Sequence, residues 1–158
     1  GRTKAHRAAT GTPRRHELAG EDERLRGSAL EYQIERKVPM TVITDLVVVL
    51  VALLHAYFLV LEMFLWDKPV GLKAFGHSKE QASATKVLAA NQGLYNGFIA
   101  AGLLWGVVQG AAGIDFKVFF LLCVIGAGVF GALTASRKIL YLQALPGLIG
   151  LILVLVSR

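Results

Sequence analysis

Cysteine and histidine are nearly missing from this sequence. The single cysteine, Cys123, lies inside an apolar run. It cannot form an intrachain disulfide, and without a C-x-x-C pair nothing supports thiol redox chemistry or a thiolate metal site. Only one histidine, His55, lies in the apolar runs, because His77 belongs to a connecting loop. A zinc or haem site therefore lacks ligands, and we predict neither a metal nor a cofactor.

Charge is also scarce after the first 37 residues. Residues 1–37 carry nine of the 17 Lys and Arg and six of the 11 Asp and Glu, which leaves eight basic and five acidic residues for the rest of the chain. A soluble domain of that size carries many more charges. We therefore predict that residues 40–158 form one membrane domain, with the lipid bilayer as its surroundings. Nucleic-acid binding is not predicted, because the tail and lipid headgroups account for the net charge of +6.

Residues 1–39 form a polar tail with charges of both signs. Such a composition predicts a segment that is mostly disordered or weakly helical. The chain begins with Gly1 rather than methionine, which indicates a vector-derived or upstream-translated extension, with Met40 as the natural start. The alternative is a native basic tail that lies on anionic headgroups.

Four apolar segments follow the tail, each about as long as a bilayer is thick. They are predicted near residues 41–66, 79–112, 116–135 and 139–156. The second begins with Ser78-Lys79-Glu80-Gln81, which has the spacing of a helix capping box. Because the last two turns are very short, neighbouring helices should be antiparallel. The predicted fold is an all-α transmembrane four-helix up-down bundle.

The orientation follows from lysine and arginine near the helix ends. Six basic residues lie in turns 67–79 and 136–138 or, in the case of Lys86, close to them. We call this side of the bundle the lysine-rich end. The opposite end has only Lys117 and Arg158, if the tail is not counted. The positive-inside rule then places turns 67–79 and 136–138 in the cytoplasm. The nine basic residues of the tail argue for the reverse if the tail is native.

Glycines recur at helical spacing in the second and third segments. These predicted helix-packing residues are Gly93, Gly97, Gly102, Gly106, Gly110 and Gly128. Small residues at such positions permit close backbone contact between helices in a membrane. The pattern fits packing inside one bundle, and a contact between copies in a homo-oligomer is the alternative.

The polar residues inside the apolar segments gather toward the lysine-rich end. His55, Glu62 and Trp66 share one stripe of the first helix, whereas Asp45 points about 80° away from His55 and is predicted to be interfacial. The predicted polar site consists of His55, Glu62, Asn91, Gln92, Tyr95, Asn96, Tyr141 and Gln143. It would form a vestibule open to the lysine-rich end and closed by His55. The alternative is a set of helix ends bonded to one another and to headgroups.

Four segments of the sequence match a known family. They are residues 55–66 (HAYFLVLEMFLW), 91–97 (NQGLYNG), 136–139 (SRKI) and 143–146 (QALP). In order and spacing, residues 40–158 resemble the small membrane proteins of domain-of-unknown-function family 1304. The resemblance implies four spans and a bacterial inner membrane, and it implies no activity.

Three functions remain open from the sequence. The first is binding or transport of a small molecule or ion at the one-sided polar site. The second is a membrane-embedded enzyme that acts on a lipid-like substrate, with His55 and Glu62 as general acid and base. The third is an accessory or structural subunit, whose polar groups only hold the helices together.

Overall fold

The computed structural model describes residues 15–157, without the side chains of 15–19, 21, 22 and 34–39. These residues are helical apart from short connections. The helices are α1 (Arg15–Met63), α2 (Pro69–Phe75), α3 (Lys79–Val108), a 3-10 helix (Gly110–Gly113), α4 (Ile114–Thr134), a π-helix (Leu140–Ala144) and α5 (Leu145–Val156). The chain divides into two compact units, Gly1–Val38 and Pro39–Arg158.

The first unit is helical wherever it is described. Residues 15–38 belong to α1, which agrees with the helical alternative for the tail, and residues 1–14 lie outside the described residues. Leu25, Leu30 and Tyr32 are each at least 60% exposed. These apolar side chains therefore do not form a core of their own.

The second unit has a core to which four helices contribute. Its fully buried residues are Val48, Val51 and Ala52 of α1, Leu103 of α3, Leu121 and Val124 of α4, and Val154 of α5. We call these seven residues the apolar core. The Thr44 hydroxyl of α1 donates to the Met40 carbonyl (2.8 Å) and lies 3.4 Å from the carbonyl oxygen of Leu153 in α5, so the first and last helices are neighbours.

Glycines let the helices approach one another. A Cβ atom on Gly93 would lie 3.0 Å from the carbonyl oxygen of Leu59, and one on Gly97 would meet the Leu59 side chain. Gly102 faces Phe120, Gly106 faces Lys117, and Gly128 faces the backbone of Ala144. Five of the six predicted packing glycines therefore serve contacts within the chain, and a homo-oligomer stays a prediction.

Gly110 is the exception. It lies beyond the end of α3, in the 3-10 helix, with φ at 57°. A Cβ atom there would meet nothing within 4 Å. The prediction that Gly110 packs against a helix is wrong, because this glycine provides the left-handed turn between α3 and α4.

Two helical segments among the described residues are long and apolar enough to cross a membrane, Met40–Met63 and Gly110–Thr134. Only 28% and 22% of their most apolar windows are buried inside the protein. The core helix of a soluble protein would bury far more of its apolar surface. Leu140–Val156 is a shorter apolar helix.

Three local features differ from the sequence prediction. α1 ends at Met63 rather than near Trp66, and the following loop contains the short helix α2. α3 ends at Val108, short of the predicted 112. The last helix begins with a π-helix just before Pro146. Proline has no N–H for the α-helical bond, and a wider turn of this kind changes the direction of the side chains around it.

Candidate functional site

The connection between α1 and α3 folds back onto the end of α1. A Cβ atom on Gly71 of α2 would lie 2.8 Å from the carbonyl oxygen of Trp66, so only glycine fits this contact. Gly76 ends α2 with φ at 70°, in the left-handed conformation that favours glycine. This turn brings the next residue, His77, back to Trp66, with their ring centroids 4.9 Å apart.

The predicted capping box at the start of α3 is confirmed. The Ser78 hydroxyl accepts a hydrogen bond from the Gln81 backbone N–H (3.2 Å), and the Gln81 side-chain oxygen accepts one from the Ser78 N–H (3.0 Å). The glycine turn at Gly76 and the cap at Ser78 together fix the end of the connection that enters α3.

A cleft of about 440 Å³ lies between this connection, the end of α1 and the first turns of α3. It is lined by Glu62, Trp66, His77, Gln81, Thr85, Leu88, Ala89 and Gln92. The Trp66 indole N–H donates a hydrogen bond to the Thr85 hydroxyl (3.1 Å), and that hydroxyl donates to the Gln81 carbonyl (2.8 Å). The indole ring is therefore held in one position at the wall of the cleft.

Glu62 links the cleft to the inside of the bundle. Asn96 of α3 donates a hydrogen bond to one Glu62 carboxylate oxygen at 2.7 Å. Asn96 is only 6% exposed, whereas Glu62 is half-buried and also lines the cleft. The close approach of α1 at Gly93 and Gly97 makes this bond possible. A carboxylate is thus held in position in the lining of an open cleft.

The structure brings together only part of the predicted polar site. Glu62 and Gln92 line the cleft, and Asn96 supports Glu62. Four other predicted residues do not line the cleft: the exposed Asn91, Tyr95 and Tyr141, and the half-buried Gln143. A single vestibule of eight residues is therefore not formed. The sequence interpretation also missed His77, which a left-handed glycine turns toward Trp66.

His55 lies apart from the cleft, in the interior. It is fully buried, and its Nδ1 atom is 2.8 Å from the Val51 carbonyl oxygen. With the proton on Nδ1, the histidine donates to this carbonyl. Its Nε2 atom is buried without a partner within the described residues. Glu62 is two helical turns away, or about 10.5 Å along α1, so the two side chains do not form an acid–base pair.

An ion pair near the opposite end was not foreseen. The Lys117 ammonium donates to an Asp45 carboxylate oxygen at 2.9 Å, and the Lys117 side chain is 4% exposed against 25% for Asp45. The sequence pattern instead predicts Lys117 among the charges of a turn and Asp45 at the interface. The missed signal is the helical spacing of Gly113, Lys117, Leu121, Val124 and Gly128, all of which are buried.

A second ion pair flanks the connection outside the apolar segments. Lys86 donates to Asp67 at 2.8 Å. This hydrogen bond lowers the pKa of the Asp67 carboxyl below its ordinary value. Asp67 therefore neutralises a lysine close to the cleft. Within the described part of the chain, no three histidine, cysteine, aspartate or glutamate side chains are grouped so as to hold a metal ion.

Comparison with known proteins agrees with the sequence resemblance. The family model described as "Protein of unknown function (DUF1304)" matches residues 49–155. The uncharacterised protein YpaA of Lactococcus lactis subsp. lactis (strain IL1403) is 31% identical over 115 residues, which is 72% of this chain and 97% of that protein. No solved structure matches. Because the family model covers most of the chain and the relative is similar over nearly its whole length, this chain belongs to the DUF1304 family.

Proposed function

We propose that the chain is an integral membrane protein with four spans, and that it binds a small molecule in the Glu62 cleft. One observation carries the proposal: Glu62 belongs to a helix that is apolar enough to cross a membrane, yet it lines an open cleft. Carboxylates inside membrane segments are costly and are retained mostly for function.

The exterior of α3 and α5 supports four spans. Large apolar side chains are exposed along α3 and α5, among them Phe98, Trp105, Ile149 and Ile152. Exposed apolar surface of this extent is unfavourable in water and suits contact with lipid. The polar residues Asn91, Gln92 and Asn96 lower the mean hydropathy of α3. For this reason α3 is not among the helical segments that are apolar enough by composition to cross a membrane.

Labelling of single cysteines tests the four spans. In a Cys123→Ala background, the exposed positions Ala74, Ala111 and Ser136 are changed to cysteine one at a time. Sealed vesicles of one orientation are then treated with a membrane-impermeant maleimide. Four spans predict that Ala74→Cys and Ser136→Cys react from the same side and Ala111→Cys from the other, with the first two on the cytoplasmic side.

Two spans, α1 and α4 alone, predict a different pattern in the same experiment. Ala74→Cys and Ala111→Cys would then react from one side, and Ser136→Cys from the other. This second pattern would refute the four-span topology, and detergent-solubilised protein provides the control that each cysteine can react.

The separation of His55 from the cleft favours binding over catalysis. A general acid and a general base must each come within hydrogen-bonding distance of the bound substrate, whereas His55 is fully buried and does not line the cleft. Transport would also require a path past Val48 and Val51, which are buried between His55 and Asp45 along α1. We therefore propose a binding protein of a bacterial inner membrane, with the cleft open to the cytoplasm.

Loss of the Glu62 charge should remove the bound molecule. Protein purified from its native membranes in a mild detergent is extracted, and the small molecules that accompany it are identified by mass spectrometry. We expect one or more compounds in wild-type protein that are lost from Glu62→Gln. Glu80→Gln, at an exposed position in the first turn of α3, is the matched control and should retain them.

Equal amounts of every small molecule in wild-type protein, Glu62→Gln and Glu80→Gln would contradict the proposal. Because Glu62→Gln keeps the size of the side chain and can still bond to Asn96, it should fold. Gln92→Leu gives an independent test, since Gln92 is exposed and its side chain lines the cleft.

A further inference from the structure

We propose that the ligand of the cleft is a small organic cation of the alkylated ammonium class. This proposal rests on the proposed function and names the chemistry of its ligand. It draws on three features of the lining: one carboxylate, two aromatic rings in contact, and apolar contact surface beside them.

The charge of the lining is the first argument. Among the described residues that line the cleft, Glu62 is the one acidic side chain, and no lysine or arginine is present. Lys86, which follows the lining residue Thr85 in the sequence, is bound to Asp67. Asn96 holds one carboxylate oxygen of Glu62 and leaves the other for a ligand. In its ionised form, Glu62 attracts a cation and repels an anion.

The aromatic wall is the second argument. Trp66 and His77 both line the cleft, and Phe75 packs against them, with ring centroids 4.7 Å from Trp66 and 6.1 Å from His77. The bond to Thr85 keeps the indole in place. A cation over the face of tryptophan is attracted by the ring, and aromatic walls recognise quaternary ammonium groups in particular. A small metal cation would instead require several oxygen ligands.

The apolar part of the lining is the third argument. Leu88 and Ala89 add apolar surface to the lining, and methyl groups of an alkylated ammonium can pack there without losing hydrogen bonds. The volume of about 440 Å³ lies in the range of small-molecule sites. A bare ammonium ion would leave most of this space empty.

Tryptophan fluorescence provides the test, because the chain has only two tryptophans, Trp66 and Trp105. In a Trp105→Phe variant, emission reports on Trp66 alone. The probes are choline and its uncharged carbon isostere 3,3-dimethyl-1-butanol, which have the same shape and differ in charge. We expect choline to change Trp66 emission in a saturable way. Half-saturation by choline should need a concentration about tenfold lower than half-saturation by the isostere, a ratio that corresponds to one modest cation–π or ion-pair contribution.

The Glu62→Gln change in the same background should remove this difference between the two probes, and Glu80→Gln should leave it unchanged. Equal binding of choline and the isostere to the Trp105→Phe protein would overturn the proposal, even if Glu62→Gln does not fold. Retention of another compound in the extraction experiment, without any response to choline, would overturn the ligand class and leave the binding function standing. If neither experiment detects a ligand, both proposals are refuted.

Discussion

Replacing Asp45 with leucine should lower the free energy of unfolding by about 3–5 kcal/mol, the usual effect of leaving a buried charge without its partner. Lys117 is 4% exposed and donates to Asp45 at 2.9 Å. Without the carboxylate, the ammonium has no described partner and little access to water. SDS titration of the purified protein, followed by circular dichroism, measures the change.

Lys117→Met should be milder than Asp45→Leu, because Asp45 is 25% exposed and can be hydrated when it loses the lysine. The double variant should recover most of the loss, since an apolar pair of similar volume often replaces a buried ion pair at no cost. A double variant that is as unstable as the sum of the two single variants would show that the ion pair is not the cause.

The second large effect is expected at Gly128. A Cβ atom there would lie 2.6 Å from the backbone nitrogen of Ala144 and 2.9 Å from its Cα atom. Because the obstacle is backbone at the end of the π-helix, a side-chain rotation cannot relieve it. Gly128→Ala should therefore force α4 and the last helix apart and cost about 1–3 kcal/mol.

Gly126 is the matched control for this change. It lies in the same helix, two residues earlier, and a Cβ atom there would meet nothing within 4 Å. Gly126→Ala should leave stability unchanged or raise it by up to about 1 kcal/mol, because alanine favours the helix. Equal losses in both variants, measured by the same SDS titration, would contradict the packing argument.

The sequence was most informative where one local rule acts. The capping box at Ser78 and the apolar runs of α1 and α4 follow from spacing and composition alone, and the structure confirms them. Depth along the helices placed Glu62 level with Asn91 and Gln92 and put Asn96 deeper, yet it is Asn96 that is hydrogen-bonded to Glu62. Features of this kind can be predicted from one helix at a time, because the thickness of a bilayer and the rise of a helix per residue are constants.

Features that depend on tertiary packing could not be predicted in the same way. Asn91 and Asn96 are five residues apart, so they point about 140° from one another, and only Asn96 reaches α1. Tyr141 lies in the π-helix, where the wider turn alters the direction of side chains, and it is exposed. His77 reaches Trp66 through the left-handed turn at Gly76. The sequence therefore did not predict which side of its helix Asn91 or Tyr141 occupies, nor the turn that carries His77.

The apolar core described above has an electrical consequence. Val48, Val51, Leu103 and Leu121 are at most 2% exposed, and the chain places the first two between His55 and Asp45. In a bilayer, a dry layer of this kind acts as a dielectric, across which most of the transmembrane voltage drops. The Glu62 cleft then shares the potential of the water that fills it, so the affinity of a charged ligand there should vary little when the membrane is polarised.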